Sequence, residues 1–308
     1  MNNFTENQSM AEIIAGLTQQ EKAKQFHNLH RAGRLLILPN IWDCLGANLL
    51  ESLNYPAIAT ASASVAFANG YDDGQQIPFD SVQAILIKIV NSVSIPVSAD
   101  IESGFATNDD QLKENIKQLL ATGIVGINIE DTHKETNSIL PIETQCAKIK
   151  LVRKVSEELG IPLFINARAD VYLRGQGFDT PESKFEEALK RGRAYRSAGA
   201  DCFYPIGMTR LEDIKRMVDQ LQMPLNIITI PGIPELNVLN EMGVARVSLG
   251  PSFLKIAIRA MKNLAVKLQN LEGLSDITEN EITSAYVKDL VNKNYQDLSR
   301  NDASSQSQ

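Results

Sequence analysis

The stretch that decides the fold covers residues 121–130 and reads Ala-Thr-Gly-Ile-Val-Gly-Ile-Asn-Ile-Glu. A helical pattern ends at Gly123, where glycine permits the left-handed conformation that often closes a helix. The run Ile124–Ile129 is a short strand, rich in apolar residues as expected for a parallel strand covered by helices. A carboxylate, Glu130, follows directly. The same helix–glycine–strand joint recurs in Ser197-Ala198-Gly199-Ala200 and Glu241-Met242-Gly243-Val244.

Short runs of this kind alternate with longer helical patterns along the chain. Eight candidate strands are found: Leu35–Leu38, Ala57–Ala61, Pro96–Ala99, Ile124–Ile129, Leu163–Ala167, Cys202–Pro205, Leu225–Thr229 and Ala245–Leu249. Eight consecutive strand–helix units are the number that closes a barrel, whereas an open doubly wound sheet usually has fewer strands. The sequence therefore predicts an α/β fold of the (β/α)8 TIM-barrel type.

The barrel is expected to span residues 18–272, with shorter segments at both ends. Residues 1–17 form an N-terminal extension, and a helix over Leu17–Ala32 is placed to plug the N-terminal end of the barrel. Beyond the last strand, Pro251–Gln269 and Glu279–Asn294 have helical patterns. Residues 273–300 are therefore predicted to be a C-terminal helical extension, and the polar residues 301–308 a disordered tail.

Composition excludes several classes of function. The 308 residues include 30 Lys and Arg against 37 Asp and Glu, giving a net charge of −7. Because the basic residues are scattered, a nucleic-acid partner is not expected. The three cysteines, Cys44, Cys146 and Cys202, are far apart and form no Cys-x-x-Cys pair, which indicates a reducing cytoplasm. No signal peptide or membrane-spanning pattern is found, so no membrane partner is expected.

Carboxylates follow the third and fourth predicted strands, at the edge where a barrel carries its active site. Asp100 and Glu102 come after the third strand, and Glu130 after the fourth. Concentrated negative charge is costly without a cation, and Mg²⁺ accepts oxygen ligands together with water. The sequence therefore predicts an Mg²⁺ site at these three residues, with Mn²⁺ as the alternative ion. Structural ion pairs with Arg168 are the competing interpretation.

Arg168, after the fifth strand, is the candidate for holding the substrate. A guanidinium binds a carboxylate through two parallel hydrogen bonds, which a lysine cannot do as well. A salt bridge from Arg168 to Glu130 or Asp170 is the competing role, and the two roles are compatible.

Two further segments are expected to face the mouth of the barrel. The run Thr60–Ser64 is small and polar, so the backbone N–H groups of Ser62 and Ala63 are candidate carboxylate donors. Close packing against a helix explains the small residues equally well. His133 lies in the loop Asp131–Leu140, and an imidazole suits proton transfer near neutral pH. An ordinary solvent-exposed histidine is the competing interpretation.

Six ordered segments resemble the isocitrate lyase/phosphoenolpyruvate mutase superfamily, over roughly residues 20–272. They are Asn40-Ile41-Trp42-Asp43, Thr60-Ala61-Ser62-Ala63-Ser64-Val65-Ala66, Gly70-Tyr71-Asp72-Asp73-Gly74, Ser98-Ala99-Asp100-Ile101-Glu102-Ser103-Gly104, Asn128-Ile129-Glu130-Asp131 and Asn166-Ala167-Arg168-Ala169-Asp170. The resemblance implies a barrel whose last helix is exchanged between subunits of a homo-oligomer, usually a dimer of dimers. It also implies a 2-oxo or 2-hydroxy acid substrate and a metal-stabilised enolate.

Roles for individual residues follow from the same resemblance. Asp100 is expected to hold Mg²⁺ directly, and Glu130 to reach it through water. Asp73 corresponds to the acidic residue near the metal, and Arg168 to the substrate-binding arginine. Trp42, Asp43 and Asn226 complete the candidate substrate-binding residues.

Two departures from the family pattern narrow the expected chemistry. The lyases of the family carry a Lys-x-Cys-Gly-His loop after the fourth strand, whereas this chain has residues 132–141 without cysteine. This argues against isocitrate or methylisocitrate cleavage and favours the short branch that lacks this loop. In addition, Ser98 occupies the position of the first aspartate in the family's Asp-x-Asp metal motif. Glu102 is expected to compensate for the carboxylate that is missing there.

The expected function is an Mg²⁺-dependent lyase or decarboxylase acting on a small oxo or hydroxy dicarboxylate, of the oxaloacetate or substituted malate type. The first alternative is an enzyme that makes or breaks a P–C bond, such as a phosphoenolpyruvate mutase, a carboxyphosphonoenolpyruvate phosphonomutase or a phosphonopyruvate hydrolase. The second alternative is a non-catalytic barrel that retains the metal site.

Overall fold

Parallel strands alternate with helices throughout the computed structural model, which describes residues 16–292. The strands are β1 (Leu36–Leu38), β2 (Asn40–Ile41), β3 (Ile58–Thr60), β4 (Val97–Asp100), β5 (Gly126–Glu130), β6 (Phe164–Ala169), β7 (Cys202–Pro205), β8 (Asn226–Ile228) and β9 (Arg246–Ser248). The helices are α1 (Gln19–Leu29), α2 (Cys44–Ser52), α3 (Ser62–Ala68), α4 (Phe79–Asn91), α5 (Asp109–Ala121), α6 (Ile142–Glu158), α7 (Val171–Arg174), α8 (Pro181–Ala198), α9 (Leu211–Leu221), α10 (Leu236–Glu241), α11 (Ser252–Gln269) and α12 (Leu274–Thr278). Residues 284–292 are also helical.

Two seams join these strands into a closed ring. Pro39, which has no N–H to donate, lies between β1, which matches the predicted first strand, and β2, which lies just beyond it. Of these, β1 pairs with β9 and β2 pairs with β3. At the other seam, the Phe203 N–H donates to the Pro224 carbonyl at 2.9 Å, and Phe203 bridges Leu225. The named strand pairs are all parallel. The predicted (β/α)8 barrel is therefore confirmed.

Three strands end later along the chain than predicted, and the added residues include those of the candidate site. The strands β4, β5 and β6 end on Asp100, Glu130 and Ala169. Glu130 lies opposite Arg168 in the register of β5 and β6. Their backbones are therefore held by the sheet rather than by a loop.

An apolar floor fills the N-terminal end of the barrel. Phe26 of α1 is fully buried and meets Phe164 edge-on, with ring centroids 5.2 Å apart. Leu36 and Cys202 pack into the same cluster. As expected, the leading helix plugs this end, although it is shorter than predicted and ends at Leu29.

Above the floor, the barrel interior is polar. The buried side chains of this layer are Asn128, Asn166, Asn226, Arg246 and Ser248. Arg246 of β9 contacts Asn128 of β5. Because these strands are not neighbours in the sheet, the contact crosses the inside of the barrel. Barrel cores are usually filled by branched aliphatic side chains, so this layer is a departure from the common pattern.

The C-terminal helices lie outside this packing. Helix α11 was expected over Pro251–Gln269, and only Leu254 of its residues is buried. The last predicted helix begins later than Glu279, because the Thr283 hydroxyl accepts a hydrogen bond from the Tyr286 N–H and caps the helix there. Residues 1–15 of the predicted N-terminal extension (1–17), residues 293–300 of the predicted C-terminal extension and the predicted tail over residues 301–308 lie outside the described residues. Within the described part of the chain, the helices are too short or too polar to cross a membrane.

Candidate functional site

Asp100, Glu130 and Arg168 meet at the C-terminal mouth of the barrel. The Arg168 Nη1 atom lies 2.7 Å from Glu130 Oε2. Its Nε and Nη2 atoms donate to the two oxygens of Asp170 at 2.7 and 2.9 Å. The salt bridges from Arg168 to Glu130 and to Asp170, which were the alternative to a substrate-binding role, are therefore both present. A guanidinium has five N–H donors, so two of them remain after these three bonds.

Glu102 is held in a strained conformation beside Asp100. Its φ of +51° lies in the left-handed region that glycine prefers, and its N–H donates to Asp100 Oδ1 at 3.1 Å. The side chain is buried, and its Oε1 atom has no hydrogen-bond partner among the described residues. A buried, unpaired carboxylate oxygen is costly, which indicates that a partner belongs at this point.

Burial and mutual repulsion dominate the electrostatics of the mouth. Burial raises the pKa of Glu102 to about 9, and the charges of Asp100, Asp73 and Glu130 add to the effect. Burial also raises the pKa of Glu130 to about 7, although Arg168 opposes it. The pKa of Asp100 is raised by burial and by Asp73, against Arg168 and an Asn128 hydrogen bond. A cation at this position would relieve the repulsion.

The carboxylates do not enclose an ion by themselves. Within residues 16–292, no three His, Cys, Asp or Glu side chains form a ready-made metal cluster. Glu130 is instead engaged by Arg168. Binding of Mg²⁺ by Asp100, Glu102 and Glu130 therefore stays a prediction, and Mg²⁺ needs only one or two direct carboxylates and keeps several waters. Asp100, with the unpartnered Glu102 oxygen beside it, fits that kind of open site.

Ser98, which replaces the first aspartate of the metal motif, lies below Asp100 in the same strand. This residue lies two positions before the mouth, is fully buried, and pairs with Gly126 deep in the sheet. Side chains alternate in direction along a strand, so Ser98 and Asp100 face the same side at different depths. Asp100 and Glu102 are therefore the acidic pair at the strand end, and Ser98 belongs to the interior.

Asp170 anchors the arginines and the loop after β5. Burial alone would raise its pKa, but Arg168 and bonds from Arg168, Thr132 and Arg174 hold it below its usual value. The Thr132 hydroxyl donates to Asp170 Oδ2 at 2.9 Å, and Arg174 Nε donates to the same oxygen at 3.0 Å. Arg174 also donates to Asn137 at the loop tip. The loop over residues 131–140 is thus tied to the mouth.

A buried network that the sequence did not predict fixes the two ends of the same loop. Arg191 Nη1 donates to Asp131 Oδ2 at 2.9 Å and to the Leu140 carbonyl at 2.8 Å. The Tyr195 hydroxyl donates to Asp131 Oδ2 at 2.6 Å. The spacing of Arg191 and Tyr195, one helical turn apart on α8, is the only sequence signal for this arrangement.

His133 lies inside this loop and is half-buried. Its Nδ1 atom accepts from the backbone N–H groups of Glu135 and Thr136, both at 3.3 Å. These bonds organise the turn and leave the proton of the neutral ring on Nε2. Among the described residues, His133 has no direct bond to the acidic side chains of the mouth, and its catalytic role stays a prediction.

The other predicted site residues have different surroundings. Asp43 is exposed and caps α2 by accepting from the Gly46 N–H at 2.7 Å. Trp42 packs against the core. Asp73 lies in an exposed loop near enough to raise the pKa of Asp100 and Glu102.

Asn226 does not reach the mouth. It is fully buried in the polar layer, and its amide pairs with the Ser248 hydroxyl at 3.0 Å. The predicted contact between Asn226 and substrate is therefore not supported, because the side chain lies one layer below the acidic residues.

A narrow pocket opens beside Asp100 and Glu102 and has both polar and apolar walls. Its other lining residues are Thr60, Ser62, Val65, Ile77, Val82, Ile85, Leu86 and Phe105. Helix α3 begins at Ser62 without any side-chain cap. The pocket therefore combines acidic side chains, the amide end of a short helix and an apolar wall.

Comparisons with known proteins agree with this fold and site. The barrel with its acidic mouth and buried arginine defines an α/β-barrel enzyme. A family model described as phosphoenolpyruvate phosphomutase matches residues 26–269. An uncharacterized protein of Mycobacterium tuberculosis is 31% identical over 226 residues, which are 73% of this chain and 81% of that protein. The chain belongs to the isocitrate lyase/phosphoenolpyruvate mutase superfamily, whose members are lyases and mutases.

Two solved structures share the fold at lower identity. Oxaloacetate acetylhydrolase in complex with its product oxalate has a TM-score of 0.78 and 20% identity, covering 94% of this chain and 99% of that one. Phosphonopyruvate hydrolase in complex with oxalate and Mg²⁺ has a TM-score of 0.78 and 21% identity, covering 91% and 97%. At this identity the likeness establishes the barrel architecture.

Proposed function

We propose that this protein is an Mg²⁺-dependent lyase or decarboxylase acting on a small 2-oxo or 2-hydroxy dicarboxylate, of the oxaloacetate or substituted malate type. The observation that carries the proposal is the pair of half-buried Asp100 and buried Glu102, which repel each other, with Arg168 near Asp100. Such a pair is costly unless a cation occupies the mouth.

Asp100 would hold the ion directly, Glu130 would reach it through water, and Glu102 would supply its unpartnered oxygen nearby. When bound, Mg²⁺ supplies Lewis-acid polarisation of the substrate oxygens, worth several kcal/mol. Mn²⁺ would fit the same oxygen ligands. The oxalate and Mg²⁺ in the phosphonopyruvate hydrolase complex support this choice by analogy of fold.

Arg168 would bind a substrate carboxylate with the two N–H donors that Glu130 and Asp170 leave. Because those two acids already fix the guanidinium plane, it would be oriented before substrate arrives. The first-turn N–H groups of Ser62 and Ala63 would bind the second carboxylate, since no side chain caps α3. The apolar wall of the pocket would contact the carbon skeleton.

Proton transfer after bond cleavage would fall to the loop over residues 131–140. His133 presents an Nε2–H, because the Nδ1 lone pair is used by the turn. Decarboxylation needs no base to begin, so the absence of the family cysteine is compatible with this chemistry.

The test is a substrate panel with Mg²⁺ added and with Mg²⁺ removed by chelation. Oxaloacetate, substituted malates and phosphonopyruvate would be compared, with pyruvate, CO₂, oxalate and phosphate as products measured. Metal-dependent cleavage of a dicarboxylate is the expected result. Turnover that persists unchanged in chelator would contradict the metal assignment.

A second candidate, an enzyme of P–C bond chemistry, is favoured by the phosphomutase family model. The loop sequence Glu135-Thr136-Asn137-Ser138 also resembles the Lys-Thr-Asn-Ser stretch of the phosphonate-forming mutases. Phosphorus NMR with phosphonopyruvate and phosphoenolpyruvate separates the two. New phosphorus resonances in that assay, without cleavage of any dicarboxylate, would establish this candidate instead.

We further propose that the protein is a homo-oligomer, with α11 packed on a second copy of the chain. The support is the apolar surface that α11 leaves exposed, which includes Ile256, Ile258, Met261, Val266 and Leu268. A single chain rarely exposes so many large apolar side chains on one helix without a partner.

A further inference from the structure

Arg246 is a buried charge without an opposite charge in contact. It is fully buried at the start of β9. No ion pair within residues 16–292 includes it, and burial lowers its pKa. Removing a guanidinium from water costs several kcal/mol unless other groups compensate. The position of this residue in the polar layer therefore calls for a function beyond filling space.

Two bonds connect Arg246 to its surroundings. Its Nε donates to the Ser248 hydroxyl at 3.2 Å, and its Nη2 donates to Asn128 Oδ1 at 3.2 Å. Asn166 Nδ2 donates to the same Asn128 oxygen at 2.8 Å. Two donors on one oxygen decide which way the Asn128 amide faces. Its carbonyl is directed to Arg246 and Asn166, and its NH₂ group to the other side.

The group on that other side is Asp100. Asn128 lies opposite Asp100 in the register of β4 and β5, so both side chains project from adjacent strands to the same face. The Asn128 amide is near enough to the Asp100 carboxylate to stabilise its charged form and lower its pKa. The amide thus joins the buried guanidinium to the carboxylate at the mouth.

We infer that Arg246 is a positioning residue which, by fixing the orientation of the Asn128 amide, aims the Asp100 carboxylate at the divalent cation. This inference rests on the proposed function, because it takes Asp100 as the metal ligand. Without Arg246, only Asn166 would hold the amide. A flipped amide would present its oxygen to the Asp100 carboxylate and repel it.

Metal affinity measures this role without relying on catalysis. Mn²⁺ binding would be followed by electron paramagnetic resonance on the full chain, for the wild type and for Arg246→Met. Loss of an outer partner of a metal ligand typically lowers affinity about 10-fold to 100-fold. We expect Arg246→Met to weaken Mn²⁺ binding by about 10-fold.

The matched control is Arg196→Met, the same substitution on the outer surface of the barrel. Arg196 is exposed and donates to the Leu221 carbonyl, so its loss tests the removal of an arginine away from the mouth. Its Mn²⁺ affinity should equal that of the wild type. An equal loss in both variants would overturn the inference, because the effect would then be a general consequence of destabilisation.

A double-mutant cycle tests whether Arg246 acts through Asn128. Asn128→Ala removes the amide, so adding Arg246→Met to it should cause little further loss of Mn²⁺ affinity. Additive losses would overturn the inference. If the wild type itself does not bind Mn²⁺, the proposed function fails first. If the wild type binds and Arg246→Met binds equally well, only the positioning role fails.

Folding of each variant would be checked by circular dichroism and thermal melting. Exchange of a buried charge for an apolar side chain is often neutral or stabilising, so Arg246→Met should melt at or above the wild-type temperature. If Arg246→Met does not fold, Arg246→Lys is used to test the inference instead. A lysine ammonium lacks the planar fork that reaches Ser248 and Asn128 together, so a measurable but smaller loss of affinity is expected. Wild-type affinity in Arg246→Lys would then overturn the inference.

Discussion

At the scale of single residues, Asp100 is the side chain on which the proposed chemistry depends most. It ends β4, accepts a hydrogen bond from the Glu102 N–H, lies near the Asn128 amide, and is surrounded by other acids. Asp100→Ala should lower Mn²⁺ affinity and metal-dependent turnover by at least about 100-fold, because it removes the proposed direct ligand. Calorimetric titration and product assays measure the two effects.

The matched control for that variant is Asp219→Ala. Asp219 is exposed on α9 and, among residues 16–292, pairs only with Lys215, one turn away. An unchanged metal affinity in Asp100→Ala, with Asp219→Ala as the reference, would contradict the proposed ligand set.

Lys148 on α6 allows a prediction about pH. Burial lowers its pKa from 10.5 to about 8, although Glu130 and Asp131 oppose the effect. The charged form therefore costs the folded state stability below about pH 8, and this cost disappears as pH rises towards 10.5. Lys148→Met should stabilise the protein at pH 7 by on the order of 1 kcal/mol.

Urea denaturation at pH 7 and pH 10 measures this gain. The stabilisation should shrink at the higher pH, since the unfolded chain loses its proton there as well. Lys150→Met, on the exposed side of the same helix, is the control and should change little. A gain that is equal at both pH values would show that packing, not charge, is responsible.

At the scale of secondary-structure elements, the loop after β5 is held by α8. Tyr195 and Arg191 share one oxygen of Asp131, and Arg191 also reaches the Leu140 carbonyl. Both ends of the loop are therefore tied to the same helix. Tyr195→Phe should destabilise the protein by about 1–3 kcal/mol, because a buried carboxylate loses a donor.

Chemical denaturation gives the loss of stability, and limited proteolysis reports whether cleavage within residues 131–140 becomes faster. Tyr286→Phe, on the C-terminal helix outside the barrel, is the control for removal of a hydroxyl. If Tyr195→Phe is as stable and as resistant to protease as this control, the network does not anchor the loop.

At the scale of the whole molecule, the apolar surface of α11 predicts self-association. Ile258 is 48% exposed and Met261 is 63% exposed, although both are large and apolar. Light scattering after gel filtration should find an oligomer, with a dimer of dimers expected. The double variant Ile258→Glu with Met261→Glu should dissociate it, because two charges would be buried at the contact.

Lys262→Glu on the same helix is the control and should leave the oligomer intact, since Lys262 is already polar and exposed. A monomeric wild type would contradict the proposed contact. If the double variant remains oligomeric, the contact between subunits lies elsewhere than on α11.

Much of this architecture was determined by local sequence. The alternation of apolar runs with helical patterns predicted the eight strands, because burial on both faces leaves a continuous apolar signature. The positions of Asp100, Glu130 and Arg168 at strand ends followed from the rule that barrels carry their sites there. The plug by α1 was predicted from a helical segment before the first strand.

Only the tertiary structure decided how the charged groups are paired. Arg168 could have faced substrate, Glu130 or Asp170, and strand register placed it against both acids. Asn226 was predicted to bind substrate, Ser98 was assigned to the metal motif, and Arg246 had no predicted role. All three are buried in a polar interior, because strands far apart in sequence converge around the barrel axis. Local sequence determines which face of an element is apolar, whereas the partners of a buried charge depend on which distant strands fold against it.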